Sequence, residues 1–410
     1  MADVNTTRIA SLYFHVPFCA QKCAYCAFYS EPSQGDLINR YVTALIRELE
    51  MVADDLKPKT IFFGGGTPSL LNLRQWEQIL RAMERLNLPG AAEFTVECNP
   101  ATVSADKARL LRSFGVTRIS MGVQSFDERL LDRLGRIHTR EMVFKSFAIL
   151  RQAGFENLNL DLMFAIPGQT LGVWRATITE ALALGSEHLS CYEVIYEDDT
   201  PLFAQLQAAE FEVDEDLACA MYDELVDCAT AAGFRQYEVA NFAREAKSNE
   251  SPVPSPQSQI AADSTADCGL TTGDIPAYAC QHNINYWRGG SFYGLGPSAT
   301  SYVRRVRTKN WSNTQLYCEQ LEKGKRAIES REELSPLKRA GETAAFGLRM
   351  NTGWAFEEFR RATHFDLRQE WSADMSRLAE CGWAEILPDS FHLTRQGLRF
   401  ADAAAELFLR

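Results

Sequence analysis

Three cysteines near the N-terminus, Cys19, Cys23 and Cys26, have the side chains and the spacing to bind an iron-sulfur cluster. At intervals of four and three residues, one short loop can direct three thiolates at three corners of a 4Fe-4S cube, which leaves the fourth iron open. Zinc is the alternative, but a structural zinc ion takes four ligands, and of the six histidines only His15 lies close by. The spacing therefore favours a cluster with one open iron.

An open iron can chelate the amino and carboxylate groups of S-adenosylmethionine and pass one electron into its sulfonium group, which yields a deoxyadenosyl radical. The glycines of GGGTPS at 64–69 expose backbone groups that can bind the amino group of that cofactor. A glycine-rich turn after a strand is more often only a tight connection. Its position one β/α unit after the cysteine loop favours the cofactor-binding interpretation.

The cysteines and glycines follow β-rich runs that alternate with helical stretches. These runs are SLYFHV at 11–16, TIFFG at 60–64, EFTVEC at 93–98, VTRISMGV at 116–123, LNLDLMF at 158–164 and EHLSCYEVIY at 187–196. The segments between them carry apolar residues at three- and four-residue spacing, as helices packed on a sheet do. The pattern predicts an α/β fold, a partial (β/α)6 TIM-like barrel that is open rather than closed at eight units.

In such a barrel the loops after the carboxyl ends of the strands meet at one rim, where active sites are built. The cysteine loop follows the first run and GGGTPS follows the second. Glu97 ends the third run, Gln124 follows the fourth and Asp161 lies in the fifth. We therefore expect all of these groups at the same rim.

The chain of 410 residues is long enough for more than one domain. A Ser/Pro-rich stretch is poor in aromatic residues and cannot bury enough apolar surface to order itself, so we expect a mobile insertion there. SFHLTRQGLRF near the C-terminus resembles the wing and last helix of a winged-helix fold. We predict the barrel at 1–243, the insertion at 244–278, a segment with HNINYW and a linker at 279–329, and a smaller, mostly helical, winged-helix-like domain at 330–410.

The composition limits the classes of function. A net charge of −12 argues against broad, phosphate-driven binding of nucleic acid. The N-terminal sequence MADVNTTRIA lacks the apolar core of a signal peptide, and no stretch approaches the roughly 20 apolar residues of a membrane span. The eleven cysteines are an odd number and mostly scattered, which does not fit a secreted disulfide framework. We expect a soluble, cytoplasmic protein without an integral membrane segment.

The CxxxCxxC spacing with an aromatic residue, Tyr25, before the last cysteine is the signature of the radical S-adenosylmethionine superfamily. Further motifs are FFGGGTPS, FTVECNP, ISMGVQSF, LGRIHT, NLDLMFAIPGQT, YEVANF and HNINYW. In their order and spacing they resemble the coproporphyrinogen dehydrogenase-like branch of that superfamily over most of the chain. Within the branch, the chain is more similar to the HemW-type haem chaperones than to the oxygen-independent coproporphyrinogen III dehydrogenases.

Three features support that choice. Phe28 stands where the dehydrogenases have a further cysteine, and only eighteen residues precede Cys19, where the dehydrogenases have a substantial segment. HNINYW matches the HNxxYW haem-binding motif of the HemW-type proteins. The resemblance implies a protein that binds a 4Fe-4S cluster, S-adenosylmethionine and haem, and delivers haem to an acceptor protein. The alternative is an oxidoreductase that decarboxylates the propionates of coproporphyrinogen III.

The resemblance also implies which positions bind the cofactor. They are Tyr13, Tyr25, Gly65, Gly66, Thr67, Glu97, Gln124, Arg136 and Asp161, of which the last three match positions that contact a second S-adenosylmethionine in the dehydrogenases. Glu97 and Asp161 lie on strands expected to be buried, where an unpaired carboxylate is costly, so a pocket or an ion pair is favoured over simple packing. Arg136 could equally cap or pair at a helix end.

For haem, the resemblance points to His282. A neutral imidazole can ligate iron, Tyr286 and Trp287 can cover a porphyrin face, and Arg288 or the basic run at 304–307 could pair with propionates. The alternative is a histidine with satisfied hydrogen bonds beside a solvated basic strand. The family implies haem, an acceptor protein and an electron donor as partners, and it allows a homodimer.

Overall fold

The six β-rich runs form neighbouring strands of one parallel sheet in the computed structural model, which describes residues 8–32, 35–246 and 275–409. A seventh strand, from later in the chain, pairs with the first. The strands are β1 (Ile9–Val16), β2 (Leu56–Gly65), β3 (Glu93–Cys98), β4 (Arg118–Gln124), β5 (Asn157–Phe164), β6 (His188–Glu193) and β7 (Tyr293–Leu295). Their order is β7-β1-β2-β3-β4-β5-β6 with parallel neighbours, and β6 and β7 do not pair with each other in the described residues. The predicted open α/β architecture is confirmed.

Helices connect the successive strands, as expected for parallel pairing. They are α1 (Gly35–Val52), α2 (Leu73–Arg85), α3 (Ala105–Ser113), α4 (Glu128–Arg133), α5 (Arg140–Gln152) and α6 (Leu171–Leu184). Short polar side chains start several of them: Asn72 forms a reciprocal capping box with Gln75, and Thr139 and Thr170 accept from backbone N–H groups in the first turns of α5 and α6. The chain continues with helices Pro201–Gln207 and Glu215–Ala231.

Aromatic packing fixes β1 and β2 against α2. Phe14 and Phe63 are directly opposite in the β1–β2 register, are fully buried, and stack with ring centroids 4.2 Å apart. Phe63 also contacts Trp76 of α2 at 5.0 Å. Because these strands carry the cysteine and glycine loops at their carboxyl ends, this packing fixes the base from which both loops extend.

Residues 291–332 belong to the same unit as the sheet, which contains Met1–Met221 and Ser291–Glu332. Its later part forms an antiparallel sheet and one helix: Thr300–Val303, Val306–Asn310, Ile328–Glu332 and helix Thr314–Glu322. Buried Glu48 of α1 accepts hydrogen bonds from Gly296 N (2.9 Å), Asn310 Nδ2 (2.8 Å) and Tyr317 Oη (2.7 Å). These contacts and the pairing of β7 with β1 place the segment here, so the two units divide the chain differently from the four predicted segments.

The second unit contains Tyr222–Gly290 and Glu333–Arg410. Its strands are Phe234–Glu238, Asn241–Arg244, Trp354–Ala355, Ala384–Ile386 and Ser390–Leu393. Its helices are Gln281–Trp287, Pro336–Gly347, Phe356–Thr363, Leu367–Glu370, Ser372–Glu380, Arg395–Arg399 and Ala401–Glu406. Fully buried Trp354 and Trp371 centre its core, and their indole N–H groups donate to Ala344 O and Phe408 O. The predicted small, mostly helical C-terminal fold with a short antiparallel wing is confirmed.

The Ser/Pro-rich insertion predicted at 244–278 falls mostly outside the described residues, which stop at 246 and resume at 275. Within the parts that are described, no helix combines the length and the apolar character that crossing a membrane requires.

Candidate functional site

A cavity of about 520 Å³ lies at the carboxyl ends of the parallel strands in the first unit. Most of the residues singled out in the sequence line it: Cys19, Cys23, Tyr25, Cys26, Gly65, Gly66, Thr67, Glu97, Gln124, Arg136 and Asp161. Tyr13 is not among the lining residues; its hydroxyl lies 3.1 Å from Nδ1 of His15 within β1.

Backbone hydrogen bonds on both sides hold the cysteine loop in place. Ala24 N donates to Leu134 O at the end of α4, and Ala24 O accepts from Leu202 N, both at 2.9 Å. On the other side, the short strand Phe18–Cys19 pairs with Glu31–Pro32. The loop is therefore fixed through its main chain, independently of what its thiols bind.

The glycine loop forms a second attachment for the same segment. Gly66 N donates to Val16 O and Thr67 N donates to Phe18 O, each at 2.8 Å. A Cβ atom on Gly66 would lie 2.8 Å from both Val16 O and Phe18 O, closer than real Cβ atoms approach. Gly65 has a φ of +104°, which side chains rarely adopt. Glycine is needed here because the two loops touch backbone to backbone.

Tyr25 anchors the centre of the cysteine loop in an apolar cluster. Its ring packs against a group of buried side chains that includes Leu130, Leu134, Met163 and Leu202. Burial raises the pKa of the Tyr25 phenol, so it stays protonated at neutral pH. The aromatic residue of the motif therefore packs its ring against the apolar cluster and also interacts with the Cys23 side chain by a hydrogen bond.

The three thiols fit an iron-sulfur cluster in chemistry and in access. All three are free and partly exposed, and all three line the same cavity. Burial raises the pKa of the Cys26 thiol and so makes its deprotonation more costly. Coordination to iron would offset this cost, because iron binds the thiolate form. In the described residues no three His, Cys, Asp or Glu side chains converge as one metal ion requires. A cube binds each cysteine at a different iron, so its ligands need not converge on one point.

Two carboxylates line the cavity, Glu97 on β3 and Asp161 on β5, the strands on either side of β4. Burial and the charge of Asp161 raise the pKa of Glu97 to about 8, against the opposing effects of Gly65 N–H and the Arg118 guanidinium. Asp161 accepts from Ser120 Oγ (3.1 Å) and from the Asn159 amide (2.7 Å), yet burial raises its pKa as well. The cavity is therefore suited to a ligand that brings positive charge.

Glu97 should make the stability of the cofactor-free protein pH-dependent. The unfolded side chain titrates near its usual pKa of 4.5 and the folded one near 8, so folding binds a proton between these values and stability falls as the pH rises. Replacing Glu97 by Gln should remove this loss, on the order of 2 kcal/mol at pH 8 to 9 after allowance for exposure to the cavity.

The measurement is the melting temperature of both proteins from pH 5 to pH 9 without cofactors. The Glu97→Gln protein should match the wild type at pH 5 and melt higher at pH 9, whereas Glu141→Gln, at an exposed site on α5, should follow the wild type throughout. Parallel curves for Glu97→Gln and the wild type would contradict the prediction.

Gln124 and Arg136 are placed by special backbone features. Gln124 ends β4 with a φ of +65°, at a point where the β4–β5 register shifts. Arg136 follows Gly135, whose φ of +70° closes α4, and its guanidinium donates to Gly122 O at 2.6 Å. This carbonyl lies within strand β4 and not at a helix end, so the bond is not the helix cap that the sequence left open as an alternative.

The cavity also contains residues that sequence reasoning missed, such as Ser120, Met163 and Tyr192, and it contains Phe28, which the sequence marked only as standing in place of a further cysteine. Side chains two apart on a strand share a face, so Asp161 already implied Met163, whereas the register shift between Gly122 and Gln124 breaks this alternation on β4. Phe28 and Tyr192 are large exposed hydrophobic side chains, at 69% and 42% of their full accessibility. Exposed hydrophobic side chains follow no periodic pattern in the sequence, so their place in the cavity could not be predicted.

His282 belongs to the second unit and lies in the helix Gln281–Trp287. The side chain is 1% exposed, and its Nε2 lies 2.7 Å from the Tyr286 hydroxyl, one helical turn later. Burial lowers the pKa of His282 to about 3, so the imidazole is neutral, as iron ligation requires. In this conformation Nε2 is already hydrogen-bonded, so ligation through that atom requires Tyr286 to move.

The basic residues near HNINYW are engaged within their own units. Arg288 is buried, donates to Gly353 O (2.6 Å) and Thr352 Oγ1 (2.8 Å), and lies over the ring of Trp354. In the first unit, Arg304 pairs with Asp55, and Arg307 pairs with Glu332. These contacts favour the structural interpretation of the basic run.

The chain is similar to proteins of known families, both over the region that carries this cavity and along almost its whole length. Residues 13–181, which contain the cysteine loop and most of the cavity, match the radical SAM superfamily. The haem chaperone HemW of Lactococcus lactis subsp. lactis is 31% identical, with 97% of each chain covered, and that of Bacillus subtilis is also 31% identical, with 97% of this chain and 99% of the relative covered. HemW of Escherichia coli is 35% identical over 72% of this chain and 70% of the relative.

Among solved structures, coproporphyrinogen III oxidase (HemN) of Escherichia coli, a radical SAM enzyme, superposes with a TM-score of 0.79. The match covers 98% of this chain and 90% of that enzyme, at 20% sequence identity. At this identity the likeness shows a shared fold.

Proposed function

Because this chain belongs to the HemW family of haem chaperones within the radical SAM superfamily, we propose that it binds haem and delivers it to an acceptor protein. The observation that carries the proposal is the similarity to HemW relatives along almost the whole chain, including the segment with HNINYW. The acceptor is a second protein whose own haem site is vacant.

Cys19, Cys23 and Cys26 would hold a 4Fe-4S cluster, and the glycine loop, Glu97 and Asp161 would hold S-adenosylmethionine. Together these groups supply one-electron chemistry when bound, which calls for an electron donor. The sulfonium and ammonium groups of S-adenosylmethionine are positive, and the cavity offers two carboxylates whose ionisation is opposed by burial. A bound cation would lower the pKa of both carboxylates and favour their ionised forms.

Haem would bind in the second unit through the neutral imidazole of His282. Trp287, five residues later in the same helix, is partly exposed, with the Arg349 guanidinium 4.9 Å from its ring centroid. A planar, apolar macrocycle suits such an aromatic surface. Binding of iron through Nε2 would replace the hydrogen bond between His282 and Tyr286, so the Tyr286 side chain would have to move away from the imidazole.

The alternative function is radical decarboxylation of coproporphyrinogen III. The likeness to HemN supports it only through the fold, since the two chains are 20% identical. Phe28, on the cavity wall, stands where the dehydrogenases carry a cysteine, and it favours the chaperone. We therefore expect no turnover of a porphyrinogen.

The two functions separate in parallel assays on one anaerobically reconstituted preparation. Haem titration should give a saturable Soret shift, and the loaded protein should pass haem to apomyoglobin as a test acceptor. Reduced protein with S-adenosylmethionine and coproporphyrinogen III should give no protoporphyrinogen. Repeated turnover to that product would overturn the proposal.

The His282→Ala variant tests the ligand in the same titration. Its haem affinity should fall about tenfold or more, equivalent to about 1.4 kcal/mol. His364→Asn, at an exposed helix end in the same unit where asparagine tolerates the positive φ, should bind haem like the wild type. An unchanged titration of His282→Ala would contradict the assignment.

A further inference from the structure

Thr67 and Arg136, which both line the cavity, donate hydrogen bonds to sulfur atoms of the proposed cluster ligands. Thr67 Oγ1 lies 3.6 Å from Cys19 Sγ, and Arg136 Nη1 lies 3.4 Å from Cys23 Sγ. Both separations suit a sulfur acceptor, which is larger than oxygen. One donor is a neutral hydroxyl and the other a charged guanidinium.

Both donors are held in place by contacts that involve no metal. Thr67 is fixed through its own N–H, which donates to Phe18 O at 2.8 Å in the segment that carries Cys19. The Arg136 guanidinium is fixed by its bond to Gly122 O, and its main chain by Arg136 N donating to Leu131 O at 2.9 Å. The donors are therefore preorganised around the sulfur atoms.

Preorganised donors have a known effect on an iron-sulfur centre. One-electron reduction adds negative charge that spreads over the cluster and its thiolates, and donors to those sulfurs stabilise the reduced form more than the oxidised form. A charged donor acts more strongly than a neutral one because it adds a Coulomb attraction to the hydrogen bond. The reduction potential rises as a result.

We propose that Thr67 and Arg136 tune the cluster, by donating to Cys19 and Cys23 and so making its reduction potential less negative. This role rests on the proposed function, since it requires that the three cysteines hold a cluster. It is separate from the contacts with S-adenosylmethionine that the family resemblance implies for the same two residues. It also explains why an arginine that already bonds to Gly122 O extends its second amino group to a thiol.

The test is the midpoint potential of the cluster, measured by anaerobic redox titration of the full chain without S-adenosylmethionine. Leaving the cofactor out removes any effect of its binding from the result. Thr67→Val and Arg136→Met should each shift the midpoint to a more negative value, with the larger shift for Arg136→Met. The two shifts should add in the double variant, because the donors act on different sulfur atoms.

Conservative variants separate tuning from a structural role. Thr67→Ser keeps the hydroxyl and should restore the wild-type potential, and Arg136→Lys keeps the charge and should fall between Arg136→Met and the wild type. Arg129→Gln removes an exposed arginine from α4 and should leave the potential unchanged. Should Arg136→Met fail to retain a cluster, the Thr67→Val and Thr67→Ser pair decides alone.

Wild-type potentials in both Thr67→Val and Arg136→Met, or equal shifts for Thr67→Val and Thr67→Ser, would overturn the tuning role. Iron and sulfide analysis of the wild type distinguishes this failure from a deeper one. If the wild-type chain itself takes up no cluster, the proposed function fails. If the wild-type chain takes up a cluster and the variants have the same reduction potential as the wild type, only the tuning role fails.

Discussion

Replacing Cys19, Cys23 and Cys26 together by alanine is expected to abolish cluster binding and leave the fold intact. The three thiols are the partly exposed cysteines of one cavity, whereas the main-chain bonds at Ala24, Gly66 and Thr67 hold the loop without them. Iron and sulfide content after anaerobic reconstitution should fall to background, and the broad visible absorption of the cluster should disappear. Circular dichroism should be unchanged.

Cys381→Ala provides the matched control. Cys381 is an exposed cysteine of the second unit, so its loss tests whether any accessible thiol contributes to the iron content. This variant should load like the wild type. A cluster that persists in the triple variant would refute the ligand assignment and, with it, the proposed site for S-adenosylmethionine.

Replacing Gly66 by alanine is expected to reduce cluster binding nearly as much, although no cluster ligand is changed. The new Cβ atom would meet the carbonyl oxygens of Val16 and Phe18 at 2.8 Å, and both are backbone atoms that cannot rotate away. The glycine loop and the cysteine loop must then separate, which breaks the bonds from Gly66 N and Thr67 N. We expect a destabilisation of roughly 2 kcal/mol or more and a cluster content well below that of the wild type.

Gly172→Ala is the appropriate comparison, because an added Cβ there would make only an ordinary contact of 3.9 Å with Thr170 in the first turn of α6. It should load fully and melt at or slightly above the wild-type temperature. Should Gly66→Ala hold as much iron as Gly172→Ala, the backbone contact between the loops is not needed for the cluster.

The sequence pattern was sufficient for the six strands that carry the cavity. Each is a short run with several apolar residues between helical stretches, and the predicted runs match the observed strands to within a few residues. β7 had no such pattern, since Tyr293–Leu295 has three residues and includes a glycine. Its place is set by pairing with β1, a contact between distant parts of the chain that no local periodicity encodes.

The candidate site could be predicted to a similar degree. Motif spacing identified the cysteines, the glycine loop, Glu97 and Asp161, which line one cavity. What sequence did not supply was the partner of each side chain. The bond from Arg136 to Cys23 and the bond between His282 and Tyr286 depend on the folded backbone, although a spacing of four residues on a helix permits the latter.

The buried carboxylate of Glu48 also bears on how the chain matures during synthesis. Its three hydrogen-bond donors lie 248 to 269 residues further along the chain. The edge of β1 that pairs with β7 likewise remains unpaired until β7 has been synthesised. A nascent chain whose first two hundred residues have left the ribosome therefore has an unfinished sheet edge and a buried acid without its donors. The first unit can therefore complete its sheet and satisfy Glu48 only after residues 222–290 of the second unit have been translated.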